Sequence, residues 1–94
     1  MPNEVAQVQP LGGTMLRLTF RTGESGSVDI ATLTPLTGIF APLTDAAYFL
    51  QVRVEPDLGT IVWPNGADIC PDVLYAAALG LPMPGTAHGL RRAS

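Results

Sequence analysis

The chain has no lysine: its five basic residues are all arginines, against eight carboxylates, for a net charge of −3. Such a balance is a poor match for a phosphate backbone, and direct nucleic-acid binding is not expected. Charged residues make up only 14% of the 94 residues while hydrophobic ones reach 47%. A small domain with so little surface charge is expected to cover apolar surface against a partner or a second copy. A single cysteine, Cys70, rules out an internal disulfide. With one cysteine and one histidine, a zinc site would need two more ligands from carboxylates, so no metal or cofactor is expected. No apolar run approaches the roughly 20 residues that span a bilayer. MPNEVAQVQP has neither the basic nor the apolar region of a signal peptide. No membrane role and a cytoplasmic location follow as expectations.

What is present is strand and turn chemistry. In TMLRLTFR, Leu16, Leu18 and Phe20 alternate with Arg17, Thr19 and Arg21, the period-two pattern of a half-buried strand. The turn at Arg21–Glu24 then returns the chain through Ser25–Ile30. Glu4–Gln9 reads as an earlier strand stopped by Pro10. A second hairpin spans Gln51–Glu55 and Thr60–Trp63, turned by Pro56-Asp57-Leu58-Gly59. Between the hairpins, prolines and glycines break the segment from Asp29 to Pro42, and Asp45 caps a two-turn helix over TDAAYFLQ. Pro71 to Leu79 reads as a helix with proline in its first position and Gly80 at its end. The sum is an α+β domain over residues 1–80: a small antiparallel sheet of about five short strands, with a short helix and a C-terminal helix packed on it. Residues 81–94 read as a Pro/Gly-rich, flexible tail.

One stretch, WPNGADICPD, gathers the residue types of a reactive site: Trp63, Asn65, Gly66, Asp68, Cys70 and Asp72. A thiol at a helix N-terminus can be activated. Here, however, Asp68 and Asp72 flank Cys70, and negative charge opposes the thiolate. His88, in the tail, has no third group to orient it in a cysteine–histidine pair. Turn and cap chemistry accounts for the same residues: Asn65-Gly66 bends the chain, Pro64 ends strand pairing, and Asp72 lies at the positive end of the helix dipole. No catalytic, cofactor or metal residues are assigned. The six residues stand as candidate interaction or motif positions.

The run GIFAPLTDAAYFLQVRVEPDLGTIVWPNGADICPDVLY, residues 38–75, with LRLTFRTGE and VDIATL before it, resembles the bacterial domain of unknown function family DUF2442. The pairing of GTIVWPNGAD with PDVLY is its most specific part, and the likeness covers about residues 4–79. The family has no established activity, and WPNGAD carries no catalytic assignment. Its members are often encoded beside another small protein in toxin–antitoxin-like arrangements, and some longer relatives continue into a helix-turn-helix domain. Only 15 residues follow Leu79, too few for such a domain. The resemblance and the composition together lead to an uncharacterised non-enzymatic protein-interaction module, partnered by a co-encoded small protein, by itself, or by both. The alternatives are a small-molecule-binding or enzymatic domain using Trp63–Asp72, and indirect transcriptional regulation through a partner.

Overall fold

The computed structural model describes residues 3–82, so the reading of the tail beyond Pro82 lies outside the described residues. The elements run β1 (Val5–Gly12), β2 (Met15–Phe20), β3 (Ser25–Asp29), α1 (Ile30–Leu33), a 3-10 segment (Gly38–Thr44), α2 (Ala46–Phe49), β4 (Arg53–Glu55), β5 (Thr60–Val62) and α3 (Pro71–Leu79). This is the α+β fold expected. Its five strands, though, divide into a three-stranded sheet ordered β1-β2-β3 and a two-stranded sheet of β4 and β5. The sheets meet where the Val5 amide donates to the Gly59 carbonyl at 3.0 Å.

The alternation in β2 sets the architecture. Leu16, Leu18 and Phe20 are fully buried, whereas Arg17 is exposed. In register with them, Leu16 faces Val28 and Leu18 faces Gly26 on β3, and these positions make the core face. Helix α3 crosses that face, and Leu74 and Ala76 are its buried residues. Ile30, Leu43, Phe49, Ile61 and Trp63 complete the core. Phe20 and the Tyr75 ring meet edge-on with centroids 5.0 Å apart, so α3 is held by an aromatic contact as well as by aliphatic packing.

Three boundaries differ from the sequence reading. Strand β1 does not stop at Pro10: it continues to Gly12, with Pro10 opposite Leu16. That is allowed because β1 is an edge strand, where a missing N–H costs no ladder bond. Helix α2 has one turn rather than two. After Phe49 the chain tightens, with Gln51 N–H donating to Tyr48 and Val52 N–H to Phe49. The broken segment after Thr37 is a 3-10 helix that passes through Pro42, as the shorter i→i+3 pattern permits. Asp29 and Asp45 both act as side-chain N-caps, accepting from Ala31 and Ala47.

Candidate functional site

The stretch after β5 folds back along that strand as a closed loop. Trp63 N–H donates to Ala67 C=O at 3.0 Å, Val62 bridges Asp68, and the buried Thr60 hydroxyl donates to Ile69 C=O at 2.6 Å. The turn at its tip is built by Asn65 and Gly66. Asn65 Oδ1 accepts from Ala67 N–H at 3.0 Å, and Gly66 takes φ +87°, a value that favours glycine.

The same loop is anchored to the segments that precede β4. Trp63 is buried, its indole N–H donates to Phe49 C=O at 3.1 Å, and its ring lies 5.7 Å from that of Phe49. Asn65 Nδ2 donates to Ile39 C=O at 2.9 Å, and the Asn65 amide donates to the Tyr48 hydroxyl at 2.8 Å. All the hydrogen-bonding capacity of the indole, and both ends of the Asn65 amide group, are thereby engaged within the fold.

The other three candidates point elsewhere. Asp68, Cys70 and Asp72 are exposed. Cys70 is the N-cap position of α3; its carbonyl accepts from Val73 and Leu74, but its side chain makes no cap bond. Asp72 lies in the first turn of α3. Among the described residues, no group of three or more His, Cys, Asp or Glu side chains is placed to hold a metal ion.

Two features were not evident in the sequence. One is a polar clasp between the β2–β3 turn and α3, in which the Tyr75 hydroxyl and the Thr22 hydroxyl both donate to Glu24. The bond from Tyr75, then that from Thr22, holds the Glu24 carboxyl below its ordinary range, and the same partner raises the Tyr75 phenol. The other is a pocket of about 140 Å³ between the two sheets, lined in part by Glu4, Arg21, Val54 and Gly59. Residues 4, 21 and 59 belong to three separate segments, so no local pattern could have joined them. Away from both, Arg53 donates to Glu55 at 2.9 Å across an exposed pair; that bond, and after it the Asp57 amide, lowers the Glu55 carboxyl.

A small α+β domain with its polar loop closed on itself is the class the geometry defines. The chain belongs to the family described as protein of unknown function DUF2442, whose model matches residues 5–80. No curated protein matches the chain. It is similar to a solved structure, "Putative DNA Binding Protein NE0471" from Nitrosomonas europaea, with a TM-score of 0.68 and 28% identity. The likeness covers 80% of this chain and 48% of that one, so the chain spans about half the length of the protein it matches.

This likeness corrects one expectation. The partners anticipated from the resemblance and the composition together were a co-encoded small protein or a second copy, with no direct nucleic-acid contact; a similar chain described as DNA-binding overturns that exclusion. The physical fault lies in using net charge over the domain. Exposed charges are screened beyond about 8 Å at physiological salt, so a distant carboxylate does not cancel a local arginine. A domain's net charge also says nothing of segments to which it is joined. Among the described residues no helix is long and apolar enough to cross a membrane.

Proposed function

We propose that this chain is a non-catalytic interaction module that works within a DNA-bound assembly. The observation that carries the reading is the match of 80% of this chain to 48% of a longer protein described as DNA-binding. A domain that stands beside further segments in a longer chain meets them through its surface.

The surface beside the closed loop supports the same reading. Ile39 and Leu50 are 52% and 59% exposed. Ile39 is itself a hydrogen-bond partner of Asn65, and Leu50 follows Phe49, the partner of Trp63. Two large apolar side chains thus stand out toward solvent beside the loop, Ile39 on backbone that the loop bonds and Leu50 next to the residue that Trp63 bonds. Exposed apolar anchors on a rigid frame suit protein contact. The polar loop has a supporting role: it sets the frame.

Affinity capture of the intact chain from its native cells, with and without nuclease, tests this. Wild type is expected to recover both DNA and a protein that persists after nuclease, and an Ile39→Glu/Leu50→Glu double variant is expected to lose that protein. Recovery of neither DNA nor protein, or equal recovery by the folded double variant, would sink the reading. Fluorescence anisotropy with a labelled duplex separates direct contact, since direct binding weakens steeply as salt rises.

A further inference from the structure

We propose that the pocket between the two sheets binds a small zwitterion, a free α-amino acid of about alanine's size. The pocket holds both members of a loose ion pair: Arg21 Nε lies 3.7 Å from Glu4 Oε1. That separation is too long for a charge-assisted hydrogen bond, which falls near 2.7–2.9 Å. The exposed Arg53–Glu55 pair, by contrast, is closed at 2.9 Å. Among the described residues neither the Arg21 guanidinium nor the Glu4 carboxylate makes a side-chain hydrogen bond; both line the pocket at its open side, with their side chains 61% and 33% exposed. Val5, Val54 and Pro56 give it an apolar wall.

Complementarity chooses the ligand. A simple anion on Arg21 would lie beside Glu4, and a simple cation on Glu4 would lie beside Arg21. A molecule bearing both charges a few atoms apart satisfies each: its carboxylate takes the planar guanidinium fork, and its ammonium donates to Glu4. Size follows from volume. A cavity of about 150 Å³ accommodates benzene, six non-hydrogen atoms; the pocket, at about 140 Å³, admits a molecule of that order. Alanine has six.

Gly59 leaves room for the Glu4 side chain. It turns at φ +68°, and a β-carbon there would stand 2.9 Å from Glu4 Cγ. The ligand would also bridge β1–β2 to the β4–β5 turn, which are otherwise joined by the Val5–Gly59 bond. This inference is independent of the DNA reading.

Titration of L-alanine into the full-length ¹⁵N-labelled chain, followed by NMR, tests it. Saturable shifts are expected at the amides of Glu4, Val5, Arg21 and Gly59 in the millimolar range, with acetate and ethylamine at least tenfold weaker. Arg21→Gln and Glu4→Gln are each expected to weaken alanine at least tenfold while the free spectrum stays that of a folded domain. Absence of saturable shifts, acetate binding as well as alanine, or undiminished binding by both variants would overturn the proposal. Should a variant fail to fold, the comparison of the three ligands on wild type decides alone.

Discussion

Gly26 lies directly beneath Ala78, so close that a β-carbon on Gly26 would overlap the Ala78 carbonyl oxygen. Helix α3 can cross the core face of the sheet at this distance only because β3 carries no side chain there. The obstacle is helix backbone, which cannot swing aside as a side-chain tip would. Gly26→Ala should therefore lift the helix and cost about 1–3 kcal/mol or more, the range for overpacking. Urea unfolding checks this against Ser27→Ala, an exposed neighbour expected to stay within about 0.5 kcal/mol of wild type.

Asn65 ties three places together, accepting from Ala67 and donating to Ile39 while its own amide reaches Tyr48. Asn65→Ala removes both side-chain bonds and should destabilise by roughly 1–2 kcal/mol. Asn65→Asp keeps the acceptor for Ala67 but loses the donor to Ile39, placing a carboxylate against a carbonyl. Its midpoint in urea should fall between wild type and Asn65→Ala. An aspartate variant as unstable as the alanine one would mean that repulsion at the Ile39 carbonyl offsets the retained bond from Ala67.

Local chemistry made much of this legible. The alternation of Leu16, Leu18 and Phe20, the cap at Asp45, and the proline and glycine that bracket α3 each act within a few residues, and each is where the pattern places it. The partition of five strands into two sheets, and their meeting where Val5 bonds Gly59, was not legible, because it depends on residues far apart in the chain. In the candidate loop the turn at Asn65-Gly66 could be read from residue types alone. Its anchors on Ile39 and Tyr48 are 26 and 17 residues distant and leave no periodic trace. The same holds for Glu24 and Tyr75, 51 residues apart.

The Glu24–Tyr75 clasp predicts a two-sided pH dependence. The Glu24 carboxyl is lowered from 4.5 in the folded state, so its contribution is present above that value and is lost as pH falls through the depressed one. The Tyr75 phenol is raised from 10.0, so its contribution is complete below that value and is lost as pH rises through the raised one. Glu24 is exposed and Tyr75 only half-buried, and solvent screening keeps the effect small. Tyr75→Phe retains the ring against Phe20 but removes the donor. The stability gap between wild type and this variant should be flat near neutrality and close in acid, as measured by urea midpoints across pH. A gap unchanged in strong acid would mean that the hydroxyl acts other than through Glu24.

Cys70 holds the N-cap position of α3 with no cap bond from its side chain. A thiol is a weak acceptor, whereas a serine hydroxyl at this position accepts readily from the backbone amides of the first turn. Since Cys70 is exposed, the change to serine leaves no cavity in the core. Cys70→Ser should therefore raise stability by about 0.5–1 kcal/mol, seen as a higher urea midpoint at unchanged slope. Cys70→Ala, which can cap nothing, should stay near wild type. If serine were instead as destabilising as a core truncation, the thiol would have to make a packing contact that its exposure denies.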